Sequence, residues 1–413
     1  MDPCTFVHAA KAVPKKDAEK SNAIQPTHWT LAEVLCETLE HGSQILALNV
    51  DRAQKRGEAT HAQLPQNPEL TLWVDGANDS FESGGTAYEV EIKQPMRLSH
   101  LGLRQLYAAS LKRVANIEKQ AELARTLNEA SLLYYKAWML QRRHAMLSGL
   151  AESAKGLVNR LEKSLAQGEA PKLEIYLLKA DAMQMLAQAE AAAAQSRLAE
   201  IELHRTMGSP WRPCKLASPE LEPIPSDLFR IFSMSQKRAN LRRLLVEKYR
   251  TAKRRHAVAQ LDIFPAFAPQ AAYREEKSGS SGWQVGVEMQ LPIWDWNQSE
   301  LQLSRALEQQ AEAELRSVDR QSFEKLLETL HASALAAEKQ ARVYWDDVLP
   351  AYSKASFMAR QELENGQISP ADFWRTEQKI AEVYNKALQV QGESLIARTL
   401  LEQAMGGRIE EIP

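Results

Sequence analysis

Glycine and proline are scarce in this chain, which has 17 glycines and 18 prolines among its 413 residues. They cluster at a few points, and alanine, leucine, glutamate, glutamine, lysine and arginine fill the stretches between them. Such a composition is typical of long helices rather than of ordinary globular domains.

Cysteine is rarer still. Cys4, Cys36 and Cys214 lie far apart, so the chain has neither a disulfide framework nor a Cys-x-x-Cys metal pair. The 9 histidines are scattered singly, without a pair at metal-ligand spacing. No nucleophile–base pair or phosphate-binding loop stands in the sequence. We therefore expect no metal, no cofactor and no enzymatic activity.

The net charge is only −2, which implies no strongly charged partner. The basic stretch Lys237–His256 is a candidate nucleic-acid surface, but a solvated helix face explains it better. No run of about 18 uncharged apolar residues occurs, so no transmembrane helix is expected. The start of the chain lacks the basic region and full apolar core of a secretory signal. Composition alone therefore favours a soluble protein.

The same pattern occurs twice along the chain. Gly168 aligns with Gly366, and Gly208 aligns with Gly406, at one common offset. This agreement predicts two tandem structural repeats of a size that suggests a duplicated domain. The predicted boundaries are 1–26 for an N-terminal extension, 27–208 for the first repeat, 209–225 for a proline-rich linker, 226–407 for the second repeat and 408–413 for a C-terminal tail.

Each predicted repeat has the order helix, β-hairpin, long helix, glycine turn and helix. The hairpin tips are rich in glycine and serine. The expected bounds are Thr27–Ala62 and Ser226–Asp262 for the first helix, 69–93 and 266–291 for the hairpin, Met96–Leu165 and Asn297–Glu364 for the long helix, and ends at Met207 and Met405 for the last helix.

The predicted long helices are longer than the core of a globular domain is wide. A helix over Met96–Leu165 would span about 105 Å at 1.5 Å per residue. Helices of that length need lateral packing, and the small residues of Ala187–Leu203 allow close approach along coiled-coil seams. An ordinary elongated coiled coil is one explanation of this pattern.

The hairpins favour a different explanation. Leu70, Leu72 and Val74 alternate with polar residues, and each strand is near the roughly 9 to 11 residues that cross a bilayer in a barrel. Isolated hairpins expose their edges in water, whereas a barrel closed with copies of the chain has no edges. Aromatic residues near the strand ends match a membrane interface. These residues are Trp73, Tyr88, Trp283, Trp294 and Trp296.

The doubled plan, the strand-to-helix junction LPIWDWNQSELQLSRA and the Gly366–Asp372 turn resemble the TolC-type outer-membrane efflux family. The resemblance runs from about Trp29 to Gly407, and the QNPEL…QP spacing is most similar to the heavy-metal cation-efflux branch. Two features near the start of the chain depart from the family. No signal peptide is visible, and Cys4 is not preceded by a lipobox, so no lipid anchor is inferred.

The resemblance implies a mainly α fold with a small β part. In a homotrimer, four strands per chain would form a 12-stranded transmembrane β-barrel in the bacterial outer membrane, on a long coiled-coil helical barrel in the periplasm. It implies a passive exit duct for small substrates, metal cations or drugs, in a tripartite pump. The implied partners are a periplasmic adaptor, an inner-membrane efflux transporter and outer-membrane lipid, and no nucleic acid.

The resemblance also points to a gate at the periplasmic turn. Family members often carry two acids three residues apart there, whereas Asp372 is followed by Arg375 and Glu174 by Leu177. Threefold rings of Asp372, Arg375 and Glu174 would favour or repel ions in a narrow neck. The alternative for Asp372 is a helix N-cap, because Ser-Pro-Ala-Asp opens a helix.

Two further functions stay open on the sequence. A periplasmic adaptor also combines a long helical hairpin with strands, although adaptors generally carry a single hairpin between β-rich domains. A soluble coiled-coil scaffold is the other. Dependence on detergent separates both from a channel.

Overall fold

A computed structural model describes residues 27–75, 87–166, 172–219, 223–238, 240–275 and 280–409. The strands are β1 Thr27–Trp29, β2 Glu69–Asp75, β3 Ala87–Lys93, β4 Cys214–Leu216, β5 Phe267–Glu275 and β6 Ser281–Met289. The α-helices are α1 Leu31–His41, α2 Ser43–Gln63, α3 Leu103–Ala166, α4 Lys172–Met207, α5 Leu228–Lys237, α6 Leu241–Leu261, α7 Gln298–Ser317, α8 Arg320–Arg342, α9 Leu349–Glu364 and α10 Pro370–Met405.

The chain divides into two compact units, and each contains residues of both predicted repeats. The first unit consists of Met1–Leu48, Ala121–Asn240 and Gln321–Pro413, and the second of Asn49–Gln120 and Leu241–Arg320. The repeats therefore remain a prediction about the order of elements, and they do not coincide with the compact units.

The first unit packs around aromatic side chains of α3. Tyr134 and Trp138 are buried in one cluster with residues of α1, α4, β4 and α10. The Tyr134 hydroxyl shares its one proton between the carbonyls of Ala217 at 2.7 Å and Trp29 at 3.1 Å. Burial raises the pKa of Tyr134 well above its usual value, so the hydroxyl keeps the proton that it donates. These bonds attach the ends of two short strands to α3.

Those two strands, β1 and β4, pair in parallel and were not predicted. The expected helix start at Thr27 is wrong because Thr30 is the N-cap of α1 and forms a capping box with Glu33. The predicted linker contains β4, which α3 holds through Gln141. The Gln141 amide donates to the carbonyl of Cys214 at 2.8 Å and accepts from the N–H of Leu216 at 3.0 Å.

The expected first helix of each repeat is in fact two helices. Gly42 separates α1 from α2, because its N–H bonds to the carbonyl of Thr38 while its own backbone leaves the helical region. Between α5 and α6, Arg238 is extended and the Asn240 side chain donates to the carbonyl of Ser235 at 2.6 Å. A side-chain bond to the backbone thus replaces the continuing helix.

The long helices also differ from their expected bounds. α3 has 64 residues and begins after Met96, because Met96 forms a β-bridge with Phe267 and Leu98–His100 form a 3₁₀ turn. The second long helix is interrupted at Val318, between α7 and α8, and again by the 6-residue π-helix Val343–Val348.

The second unit contains the antiparallel sheet β2-β3-β5-β6 and helical segments. An ion cluster joins the helices: Glu118 of α3 lies 2.7 Å from Lys55 and 2.9 Å from Lys248, and Lys55 lies 2.9 Å from Asp51. Burial opposes the ionisation of Glu118, but both lysines outweigh it and hold the pKa of Glu118 below its usual value. Glu118 is therefore ionised at neutral pH and links α2 and α6 through α3.

Candidate functional site

The four-stranded sheet has one apolar face and one polar face. Its register places Leu72 opposite Val90, Val90 opposite Tyr273 and Tyr273 opposite Trp283, so one apolar row crosses all four strands. Alternation along each strand adds further rows. Glu275 and Ser281 end this face near one hairpin tip, and its other residues are Leu70, Leu72, Val74, Tyr88, Val90, Ile92, Phe267, Pro269, Ala271, Tyr273, Trp283, Val285, Val287 and Met289.

This apolar face is the more exposed of the two. Val285 is 86% exposed and Trp283 is 77% exposed. Along β3, Tyr88, Val90 and Ile92 are exposed while the residues between them are half-buried. A sheet in a water-soluble protein turns its apolar face to the core. The reversed pattern is typical of a surface that meets an apolar environment.

The polar face carries Glu69, Thr71, Trp73, Glu89, Glu91, Lys93, Gln270, Arg274, Gln284 and Glu288, with small residues between them. Lys93 Nζ lies 3.1 Å from a carboxylate oxygen of Glu69 and 3.2 Å from one of Glu288. Glu69 belongs to β2 and Glu288 to β6, so this one lysine of β3 contacts both outer strands. Ala268 lies opposite Glu288, and its small side chain leaves room for Lys93 to reach across β5.

Both outer strands have an open edge. Among the described residues, no strand pairs with the free side of β2 or of β6. Unpaired edges are sites of strand addition, and a four-stranded sheet is too narrow to close on itself as a barrel. The geometry therefore leaves two positions at which another strand can bind.

Two of the predicted interface aromatics lie on the apolar face. These are Tyr88 and Trp283, and the Trp283 ring centroid lies 5.2 Å from that of Tyr273. Trp73 pairs with Glu89 and so lies on the polar face. The alternation of β2 already implied that placement, because Trp73 stands between Leu72 and Val74.

The other two predicted aromatics, Trp294 and Trp296, lie after β6 in the segment that leads into α7. Trp294 is 87% exposed. Asn297 follows in the left-handed region, with φ of 66°, and its side chain donates to the carbonyl of Ala259 at 3.2 Å. The junction thus turns sharply from strand to helix and leaves Trp294 in solvent.

A partly buried ionic group at the other junction was missed by sequence reasoning. Arg104 of α3 donates to Asp262 at 2.5 Å and to the Ser99 hydroxyl at 2.7 Å, and Ser99 donates to Asp262. Asp262 directly follows α6, so the group joins the ends of two helices. No local pattern signals it, because the partners are far apart in the sequence.

The predicted gate residues lie at the turn between α9 and α10. Gly366 takes the left-handed conformation, with φ of 70°, and ends α9. Ser369 is the N-cap of α10, since its hydroxyl accepts from the N–H of Asp372 at 3.1 Å and donates to the Asp372 carboxylate at 2.8 Å. Asp372 is thus the third residue of the helix and not the N-cap.

Asp372 and Arg375 form an ion pair on the surface. Arg375 Nη1 donates to Asp372 Oδ1 at 3.1 Å, and the side chains are 77% exposed for Arg375 and 57% exposed for Asp372. Glu174 belongs to the first turn of α4, and its side chain lies outside the described residues. The described part thus brings together two of the three predicted gate residues.

Behind this pair lies a buried contact that was not predicted. Phe373 and Trp374 point into a core cluster with residues of α3, α4 and α9. The Trp374 indole N–H donates to Asp181 of α4 at 2.8 Å, and the Gln378 amide donates to the same carboxylate at 3.2 Å. The start of α10 is therefore attached to α4 by apolar packing and by two hydrogen bonds.

The exposed faces of α4 and α10 differ in chemistry. On α4, exposed residues recur at alternating spacings of three and four, as in a coiled-coil seam. They are Leu173, Leu177, Ala180, Gln184, Ala187, Ala191, Ala194, Leu198 and Ile201. On α10 the same spacing carries mostly charged residues, namely Asp372, Arg375, Lys379, Glu382, Lys386, Gln389 and Glu393. The α4 seam is apolar and open, and the α10 face suits water.

Reactive groups and metal sites are not evident in the described part of the chain. Its residues hold no group of three or more histidines, cysteines or acids that could bind a metal. Burial, together with nearby Glu200, raises the pKa of the Cys214 thiol to about 12, so the thiol is uncharged at neutral pH. Among the helices described, none has the length and apolar character needed to span a membrane.

Comparison with known proteins gives matches among solved structures. No family model and no curated protein matches the sequence. The Campylobacter jejuni CmeC outer membrane channel matches with a TM-score of 0.71 and 13% identity, over 97% of this chain and 95% of that chain. The fold is that of outer membrane channels.

Two other solved structures agree. Outer membrane protein VceC of Vibrio cholerae matches with a TM-score of 0.71 and 15% identity, over 92% of this chain and 96% of that one. The Neisseria gonorrhoeae MtrE outer membrane channel, in its open state, matches with a TM-score of 0.66 and 15% identity, over 91% of this chain and 89% of that chain. The expected mainly helical fold with a small sheet is confirmed, while the closed barrel and the sequence repeat stay predictions.

Proposed function

We propose that this chain is one subunit of a homotrimeric outer-membrane efflux channel of the TolC type. The trimer is the exit duct of a tripartite pump and passively carries small solutes, metal cations or drugs, from the periplasm to the exterior. The observation that carries the proposal is the sheet, which exposes its apolar face and has two open edges.

Three copies satisfy both features of the sheet. If β6 of one copy pairs with β2 of the next, a 12-stranded barrel closes and every strand has two neighbours, as a bilayer requires. The apolar face then meets lipid, with Tyr88 and Trp283 among its aromatics, and the polar face with Lys93 lines a water-filled pore.

The exposed seam of α4 supports assembly of the same copies. Its small and apolar residues, from Leu173 to Ile201, suit a neighbouring helix packed at close range. The charged face of α10 needs water and fits the wall of a periplasmic tunnel. Because the fold matches outer membrane channels over nearly the whole chain, the helices belong to the proposed duct as much as the strands do.

The predicted gate belongs to the same duct. Rings of Asp372 and Arg375, with Glu174, would stand at its periplasmic mouth and select ions by charge. A periplasmic adaptor and an inner-membrane transporter would dock there, and the transporter would choose the substrate.

The test is assembly and conductance of protein extracted from membranes. We expect a trimer in detergent by light scattering, and stepwise conductance in a planar bilayer. A monodisperse monomer contradicts the proposal. So does a preparation that stays monodisperse without detergent, which is the result expected for an adaptor or a soluble scaffold.

Two adjacent residues of β6 make a matched pair for this test. Val285→Lys places a charge on the proposed lipid face, which costs about 2–4 kcal/mol per chain near the middle of a bilayer. Gln284→Lys places the same charge on the opposite face. We expect the first variant to lose the trimer and the second to keep it. If both variants keep the trimer, or both lose it, the apolar face of the sheet no longer supports the proposal.

A further inference from the structure

We propose that Lys93, held between Glu69 and Glu288, sets the charge selectivity of the strand-lined part of the pore. The inference rests on the proposed function, because it requires that the polar face of the sheet lines water inside a barrel. It concerns residues of the strands and not the turn that carries Asp372 and Arg375.

Acidic side chains predominate on the polar face. The glutamates are Glu69, Glu89, Glu91 and Glu288, and the basic side chains are Lys93 and Arg274. In the described part of the chain, neither Glu89 nor Glu91 forms an ion pair. A pore lined by this face would attract cations and repel anions.

Lys93 is the residue that moderates this preference. It is within 3.2 Å of a carboxylate oxygen of both Glu69 and Glu288, so one positive charge offsets part of two negative ones. Glu69 begins β2, Lys93 ends β3 and Glu288 is next to the end of β6. All three therefore lie at the end of the sheet where strands meet helices, and Glu89 and Glu91 lie nearer the hairpin tips.

The position makes the charge effective. In a trimer, three copies of Lys93 with their glutamates would form one ring at the level where the barrel joins the tunnel. Charges in a confined passage act on every passing ion and are weakly screened at low salt. Removing the lysine leaves two unneutralised carboxylates in each copy at the same level.

The variants separate the lysine charge from its packing. Lys93→Gln should raise the ratio of K⁺ to Cl⁻ permeability roughly two- to fivefold, given the strength of charge interactions across a few ångströms of water. Lys93→Arg should keep the parental ratio because it keeps the charge. The double variant Glu89→Gln, Glu91→Gln should lower the ratio. Glu275→Gln is the matched control, because Glu275 pairs with Tyr88 on the apolar face.

The measurement is the reversal potential of purified trimers in a planar bilayer across a KCl gradient at low ionic strength. The inference is supported if Lys93→Gln and the double variant shift that potential in opposite directions. If the parent conducts and both variants keep its reversal potential, the inference is overturned and the proposed function stands. A parent that does not conduct overturns the proposed function itself. Should Lys93→Gln fail to form trimers, the double variant decides, since Glu89 and Glu91 form no ion pair within the described part of the chain and their replacement leaves the contacts of Lys93 in place.

Discussion

Asp372 accepts two bonds at its carboxylate, from Ser369 and from Arg375, all within one turn of α10. The Ser369 bond belongs to the helix cap, and the Arg375 bond is a surface ion pair. Exposed pairs of this kind contribute about 0–1 kcal/mol. Arg375 is therefore free to exchange partners at small cost, which is the property that a gate residue needs.

The first prediction tests this pair. Arg375→Ala should raise single-channel conductance and cation preference, because it removes positive charge and a contact at the mouth. Asp372→Ala should also raise conductance but lower cation preference. Arg125→Ala is the control, since Arg125 forms a similar exposed ion pair with Glu122, three residues away on α3, and the proposal places neither residue at the mouth. If the Asp372 and Arg375 variants conduct like the parent, the pair serves only the helix.

The second prediction concerns Trp374. Trp374→Phe keeps most of the buried ring but removes the bond to Asp181, which should lower stability by about 1–3 kcal/mol. Trp345→Phe is a matched control, because the buried Trp345 indole N–H has no hydrogen-bond partner among the described residues. Thermal unfolding should show a lower midpoint for the first variant alone. Equal midpoints would mean that packing, and not the hydrogen bond, holds the start of α10.

At the scale of elements, α1 and α4 meet through glycines at their ends. Gly208 ends α4 with φ of 72°, and a Cβ there would collide with the carbonyl of His41 at the end of α1. A Cβ at Gly42 would in turn lie 3.2 Å from the carbonyl of Thr206. Two helix ends thus approach each other with no side chain between them.

The third prediction separates this close approach from backbone strain. Gly208→Ala should destabilise the protein by more than the roughly 1–2 kcal/mol expected from a left-handed alanine, because the carbonyl of His41 must also move. Gly366→Ala is the control, since Gly366 has a similar φ of 70° but open space around its Cβ position. Chemical denaturation should show the larger loss for Gly208→Ala. Equal losses of stability in the two variants would show that the ends of α1 and α4 can move apart without cost.

The strands of the large sheet were predictable because their residues alternate with a period of two. β2 begins at Glu69, where the first hairpin was expected to begin. β1 and β4 were not predictable, because strands of 3 residues are too short to show an alternation of apolar and polar residues. The two strands are also far apart in the sequence. The break between α1 and α2 was missed for a related reason: Gly42 leaves the helical region where the end of α4 approaches it, and no local pattern records that approach.

The contacts of the candidate site also fall into some that the sequence predicts and some that it does not. The pairing of Asp372 with Arg375 follows from a spacing of three on a helix, and the sequence contains that spacing. The register that aligns β3 with β5, and so puts Lys93 within reach of Glu288, joins hairpins from distant parts of the chain. Contacts such as Trp374 with Asp181 depend on tertiary packing alone.

For the whole molecule, the fourth prediction concerns orientation in the membrane. The hairpin tips, Asp79–Gly85 and Lys277–Gly282, lie largely outside the described residues and are polar, as the outer loops of barrels are. With Cys4 replaced by serine, Ser83→Cys and Ser278→Cys should react with an impermeant thiol label on intact cells. Gln367→Cys, at the α9–α10 turn, should react only after lysis. Protection of both tips would reverse the proposed topology.

The open edges of β2 and β6 also determine how the rate of assembly in the cell depends on the concentration of chains. In the proposed trimer, a chain alone or in a pair has nothing to close against, so folding of the sheet and association of three chains become one step. Its rate would rise steeply with the local concentration of chains. A single copy with a blocked edge, such as one with proline in β6, would stall two normal ones. Such variants would be dominant over the normal gene, even when they form a minority of the chains.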